Sequence, residues 1–203
     1  MNDEVPRLKT IVTYLEMTAQ PSSPTPPRPA IPIALMRATD MPLSFYRYLY
    51  NTIGEDWLWY ERRLLDEEAL AAVIHDDQSE VYVLYVNGAP GGYGELNRNA
   101  DNEVDLAYFG LLPETIGRGL GSYFLRWLVD QAWSSKPDRV IVNTCDLDHP
   151  RALRTYQSVG FLPYRREILE FDDPRETGMF PNWCDHRVWK APAASSGGNF
   201  IAE

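Results

Sequence analysis

Cysteine is scarce in this 203-residue chain, and positive charge falls short of negative. Two cysteines, Cys145 and Cys184, are too few for a disulfide framework and lack the paired spacing of a metal site, so both read as packing residues. Nowhere do apolar residues run long enough to span a bilayer, and the opening MNDEVPRLKT has no apolar segment behind a basic start. The expectation is a cytoplasmic protein with no membrane partner. Nineteen Lys and Arg against 29 Asp and Glu give a formal net charge of −10, which argues against a nucleic-acid partner, since phosphate contacts need clustered cations. The deficit is uneven. Residues 114–166 hold eight basic residues against five acids, so this segment carries +3 and the remainder −13, a pattern suited to one anionic ligand and a cationic second substrate.

The length suits one sizeable core rather than two. Residues 9–17, rich in β-branched and aromatic types, read as a strand. The proline-rich stretch 20–32 follows as an extended surface linker strapping that strand to the body, with a Pro-rich recognition ligand the lesser alternative. Residues 33–37 form a second short strand, after which Asp40 and Pro42 open a helix. Across 43–63, Phe45, Tyr46, Leu49, Tyr50 and Ile53 follow helical spacing, Trp57, Leu58, Tyr60 and Leu64 form a second set, and Gly54 breaks the run into two helices. These aromatics have two readings, core packing and a substrate pocket. Residues 66–75 form a further helix with acids in its first turn.

From Glu80 the period changes to two, and 80–86, 92–98 and 103–112 read as strands joined by tight turns into an antiparallel meander. A helix over 120–133 follows, then an apolar strand over 139–145 expected to be buried on both faces. Pro150 opens another helix, which Gly160 closes. A strand over 161–171 and a last one over 179–190 complete the body, and the tail 191–203, without periodicity, is expected to be mobile.

Between the meander and the helix at 120 lies PETIGRGLG, with Gly117, Gly119 and Gly121 at alternate positions. Such glycines permit a tight bend and close backbone approach, and the helix N-terminus behind them offers unpaired N–H groups to an anion, a phosphate foremost. A dinucleotide fingerprint is excluded because Phe124 stands where its third glycine or alanine would pack, and a nucleotide phosphate loop is excluded because no Gly-Lys-Ser/Thr follows. Asp146, Asp148 and His149 could suggest a metal, yet a strand-to-helix loop explains them and no metal is expected. Cys145, ending an apolar strand, is expected to be an inert thiol rather than a nucleophile.

This order of elements, with the glycine turn after the third meander strand and Gly160-Phe161 after the last helix, resembles the GNAT acetyltransferase superfamily over roughly residues 33–189. The resemblance implies an α+β fold with a mixed, mostly antiparallel sheet flanked by helices, a domain over 33–190, and residues 1–32 packed on it. It also implies acetyl-CoA as co-substrate. In the family's Q/R-x-x-G-x-G/A pattern Ile116 replaces the usual first residue, and Gly117, Arg118, Gly119, Leu120 and Gly121, with Ser122, would hold the pyrophosphate through backbone amides. A second family pattern, N-x-x-A-x-x-x-Y-x-x-x-G-F, is matched by His149, Ala152, Tyr156, Gly160 and Phe161. His149 takes the place of an asparagine that contacts the pantetheine arm, with Arg151 beside it as a further cofactor candidate. By resemblance Tyr156 would protonate the departing thiolate, and the backbone N–H of Leu111 or Leu112 would meet the thioester carbonyl.

Acetyl transfer to an amine needs a neutral amine, a polarised carbonyl and a stabilised thiolate. Candidate bases on the meander are Glu95, Asp105 and Glu103, in that order, with a solvated face or a salt bridge as the plain alternative for each. Asp105 lies fourteen residues before Gly119, where some relatives place a catalytic glutamate, and Glu103 shares its sheet face if the strand is regular. Tyr46, Tyr50, Trp57, Trp59 and Tyr60 fall where the superfamily often shapes its acceptor site, suggesting an aromatic-walled pocket. The function expected is an N-acetyltransferase moving an acetyl group to a primary amine of a small molecule or peptide, by direct transfer in a ternary complex. The alternative is a non-catalytic acyl-CoA-binding or sensory module. A homodimer is left open.

Overall fold

Alternating apolar and polar residues set most of the architecture. The computed structural model describes residues 6–185 and 187. In chain order the elements are β1 (Arg7–Met17), β2 (Ile33–Ala38), α1 (Leu43–Gly54), α2 (Glu67–Ile74), β3 (Ser79–Val86), β4 (Ala89–Asn99), β5 (Glu103–Leu111), α3 (Leu120–Trp133), β6 (Arg139–Cys145), α4 (Ala152–Ser158) and β7 (Leu162–Asp172). The seven strands make one sheet in the order β2-β3-β4-β5-β6-β1-β7. Every neighbouring pair is antiparallel except β5 and β6. The sheet is therefore mixed and mostly antiparallel, and the meander β3-β4-β5 lies where the alternation put it.

Helices cover the sheet on two faces, each over its own core. On one face α3 buries Leu120, Phe124, Leu125, Leu128, Val129 and Ala132 against Tyr82, Leu96, Val104 and Val140, joined by Tyr156, Val159 and Phe161 around α4. On the other face α1 and α2 set Tyr46, Leu49, Tyr50, Ile53, Leu70 and Ile74 against Val81, Val83 and Tyr93. Full burial of one such side chain contributes about 1.5–3 kcal/mol, so α3 is bound by its stripe rather than by helix propensity. Asp66 caps α2, its carboxylate accepting the Ala69 N–H at 2.8 Å.

Several expectations are corrected. The second helix expected between Gly54 and Arg63 is absent; two short 3₁₀ turns, Glu55–Trp57 and Glu61–Arg63, take its place. Leu58 between them has φ of 55°, a left-handed conformation that stops the helix and turns Trp59 toward the sheet. Strand β6 is buried on one face only; Ile141 and Cys145 are partly open on the other and Asn143 is exposed. Within 179–185 there is no strand, and the rest of that expected element, like the tail 191–203, lies largely outside the described residues. β1 sits inside the sheet between β6 and β7. The proline-rich linker returns from β1 across α3, held by the buried Arg126 guanidinium, which donates to the carbonyls of Pro21 and Ser23 and pairs with Asp130.

Candidate active site

The site begins where two strands part. β5 and β6 share a ladder of only three residue pairs, ending at Asp105 opposite Ile141, whereas β5 stays paired with β4 as far as Leu111. Beyond Asp105 the side of β5 turned toward β6 has no strand partner. The Leu112 N–H is committed, donating to the Gly91 carbonyl at 2.9 Å, so Leu112 is corrected as a candidate for the carbonyl contact. Because antiparallel ladders alternate, the Leu111 amide points the other way, into the gap. A β-bulge also shifts register between Glu95 and Leu96, leaving Ala107 as the extra residue of β5. It returns Tyr108 to the sheet face that carries Asp105 and Glu95.

A cleft of about 590 Å³ fills this gap. Its floor is Ala107–Leu111 of β5 with Asn143 and Cys145 of β6. One end is the glycine turn, with Ile116, Gly117, Gly119, Gly121 and Ser122 lining it; the loop before α4 adds His149 and Arg151, and α4 adds Ala152, Thr155 and Tyr156. Gly117 and Gly119 have φ of 82° and 73°, which L side chains rarely adopt, and a Cβ on either would meet nothing within 4 Å. Gly119 caps α3 with no side chain on the helix's first N–H groups and no acid in its first turn. Arg118 is exposed and does not line the cleft, and the Leu120 side chain is buried in the core, so either could serve a ligand there by its backbone alone.

The opposite end is aromatic. Tyr50, Trp57, Trp59 and Tyr60 line it, as the resemblance implied; Tyr108 and Glu61, not singled out in the sequence, line it too, as does Asp148, read there as a loop residue. Trp59 stands 5.5 Å from Tyr50 and 5.2 Å from Tyr108 between ring centroids, and its indole N–H donates to Asp148 Oδ1 at 3.3 Å. Tyr108 donates its hydroxyl to Glu61 at 2.6 Å. A Cβ on Gly54 would lie 2.4 Å from Trp59 Cβ, so Gly54 is needed for this close approach. Tyr46 does not belong to the wall: fully buried beneath it, it donates to Glu95 Oε2 at 2.6 Å. Thr10, Val12 and Tyr14 of β1 with Leu169 and Phe171 of β7 extend the cleft across the sheet.

None of the three meander acids lines the cleft. Glu95 is fully buried and ion-paired with Arg62 at 2.7 Å, which ties the second 3₁₀ turn, and with it the aromatic wall, to the sheet. Glu103 is ion-paired with Arg139, which also reaches Glu16 at 3.1 Å. Asp105 differs. It forms no ion pair among the described residues, its Oδ1 is buried without a hydrogen-bond partner, and it lies at the apex of the gap. Burial first, then the charges of Glu103 and Glu95, pushes its carboxyl up to about 6. Tyr156 is buried with its phenol raised well above the ordinary value, by burial first and then by Asp148 and Asp105, so it holds its proton at neutral pH. Burial and then Asp148 push the Cys145 thiol up to about 11, which leaves it protonated. Asp148 and Asp146 serve the loop: Asp148 accepts from Thr144 and the Cys145 N–H, and Asp146 from Thr10 and the Ile11 N–H.

A family model described as the Acetyltransferase (GNAT) family matches residues 44–161, more than half of the chain. The chain belongs to the GNAT family. Among curated proteins none matches it. The GNAT fold is shared with a GCN5-related N-acetyltransferase from Sphaerobacter thermophilus at a TM-score of 0.57 and 16% identity, over 83% of this chain and 53% of that one. A GCN5-related N-acetyltransferase from Kribbella flavida aligns at 0.54 and 17% identity, over 83% and 60%. A tandem GNAT protein from the clavulanic acid biosynthesis pathway, solved without AcCoA, aligns at 0.52 and 15%, over 84% and 54%. The chain thus spans little more than half the length of each of these structures. The match at 44–161 covers the glycine turn, the β5–β6 gap and Tyr156, and it leaves out β1 and β7. No helix of the described residues is long and apolar enough to cross a membrane.

Proposed function

We propose that this GNAT protein is an acetyl-CoA-dependent N-acetyltransferase that acts on a primary amine carried by a small molecule or peptide with an apolar body. One observation carries the reading: the glycine turn, the unpaired edge of β5, Tyr156 and an aromatic wall all face one cleft. The residues suit acetyl-CoA. Open space before Gly117 and Gly119 leaves room for a pyrophosphate against backbone amides at the start of α3, and the vacant side of β5 offers the Leu111 amide to an extended pantetheine arm. Acetyl-CoA supplies the activated acyl group.

In direct transfer the amine nitrogen bonds to the carbonyl carbon as the carbon–sulfur bond breaks. The Leu111 N–H polarises the carbonyl oxygen, and Tyr156, kept protonated by its surroundings, passes its proton to the leaving sulfur and recovers one from the new amide nitrogen. The first ammonium proton must leave before attack. Asp105, the meander carboxylate in no ion pair among the described residues, is its acceptor, reached through water because it does not line the cleft. Glu61 and Asp148 at the aromatic end attract the cationic acceptor.

Release of CoA thiol with a panel of amines tests the reading, with acetyl-CoA affinity measured in parallel by calorimetry. Thiol release with at least one aromatic or apolar amine is expected. One observation favours the rival, an acyl-CoA-binding or sensory module: no meander acid lines the cleft. Acetyl-CoA binding without thiol release from any amine would establish that rival.

A further inference from the structure

β7 ends the sheet, eleven residues long, and nine of the eleven are exposed. Leu162, Tyr164, Ile168 and Leu169 are exposed among them, Ile168 at 70%. An edge of this length and apolarity is a template for another strand. Its pairing with β1 fixes which backbone groups are on offer. The Asp173 N–H donates to the Pro6 carbonyl, so the odd-numbered residues from Arg165 to Asp173 bond to β1, while Arg166, Ile168 and Glu170 turn N–H and C=O outward. The same three residues share one sheet face with Ile11, the cross-strand partner of Ile168, itself 47% exposed. Along this row the charges are asymmetric: Arg166 precedes Ile168 by two residues and Glu170 follows it by two. Arg166 has no ion pair among the described residues; its guanidinium only touches the Thr13 hydroxyl at 3.2 Å.

We propose that two copies of the chain pair edge to edge through β7, antiparallel about a two-fold axis at Ile168. This register sets Ile168 against itself and Arg166 of each copy opposite Glu170 of the other. A two-fold interface brings the same pair together twice, so one self-complementary row supplies two ion pairs around an isoleucine centre flanked by both Ile11 side chains. The outward N–H and C=O groups of Arg166, Ile168 and Glu170 meet in register, and Tyr164, the extra residue of a β-bulge, and Pro163, which has no N–H to give, both fall outside the ladder spanning residues 165–171. An axis at Arg166 or Glu170 would oppose like charges, as would one at Glu167. Arg7 now donates to the Glu170 carbonyl at 2.8 Å and Lys9 lies 3.5 Å from its carboxylate; both are long exposed side chains able to swing aside. Leu169 and Phe171 line the cleft, so the partner's Glu167 and the partner's Arg165, opposite them in this register, would extend its floor.

Sedimentation velocity of the full chain over about 1–100 µM tests the proposal. A dimer is expected. Ile168→Asp and Arg166→Glu should each weaken it about tenfold or more, with circular dichroism unchanged because both sites are exposed. Arg166→Glu combined with Glu170→Arg should restore the dimer. A monomer at every concentration, or a dimer indifferent to both single changes, would overturn the proposal. Weakening by Arg166→Glu without restoration in the double variant would overturn the Ile168 register.

Discussion

Replacing Asp105 with asparagine removes a carboxyl group whose charged form the fold disfavours. Burial, then Glu103 and Glu95, lifts it from an ordinary 3.8 to about 6. At about 1.36 kcal/mol for each tenfold change in proton affinity, that rise corresponds to about 3 kcal/mol. The sign follows from proton linkage. The folded state holds this proton more tightly than the unfolded chain, so stability falls as pH rises through about 4 to 6, and the loss is complete above that window. Asparagine cannot ionise. Asp105→Asn should therefore be more stable than the parent by up to about 3 kcal/mol near pH 7.5, with the gain vanishing near pH 4. Urea unfolding would read this as a midpoint raised by about 1 M at the higher pH. The parent's kcat/KM should climb with pH through about 6, and the variant should lose most activity together with that limb. Equal stability near pH 7.5, or a difference independent of pH, would refute both the buried-acid assignment and its use as proton acceptor.

Glu95→Ala strands the Arg62 guanidinium and should cost about 3–5 kcal/mol in urea unfolding, with a much smaller loss when Arg62 is already methionine. A variant that keeps its stability and loses turnover would instead make Glu95 a proton acceptor. Tyr156→Phe should lower kcat by about 10²–10⁴-fold while calorimetric acetyl-CoA affinity stays within about twofold; equal losses would make the tyrosine a binding residue. Gly54→Ala places a methyl group against Trp59, so the acceptor KM should rise with acetyl-CoA affinity unchanged, at a cost of about 1–3 kcal/mol in stability.

The parts legible in the sequence were those whose physics is local. The meander was written in period-two alternation from Glu80 to Leu111, and the glycine turn in residues whose backbone freedom is their purpose. What escaped needs partners far apart in the chain. Arg62 answers Glu95 from 33 residues away, which turned the first-ranked base into a strut. The bulge at Ala107 decides that Tyr108 faces the aromatic wall, yet nothing in EVDLAYFGL marks it. Gly54 read as a helix breaker, which it is, but its fit against Trp59 depends on a loop that turns back through Leu58. Tyr46 and Tyr50, one helical turn apart, look alike in sequence; only the depth of α1 on the sheet puts one under the wall and the other in it.

The insertion of β1 between β6 and β7 shapes how the chain must be made. Val12 finds its neighbour at Cys145 and Ile11 finds its other neighbour at Ile168, so β1 is made well before either strand it pairs with. At roughly 5–20 residues per second, ribosomal synthesis leaves that apolar ribbon without its sheet for about 7–30 s. During that time the proline-rich linker behind it, poor in amide donors, is a weak partner for a stray strand. The meander can close early on local contacts, whereas the part of the cleft lined by β1 and β7 waits for partners far apart in the chain, so refolding should end in a slow step that joins β1 to β6 and β7.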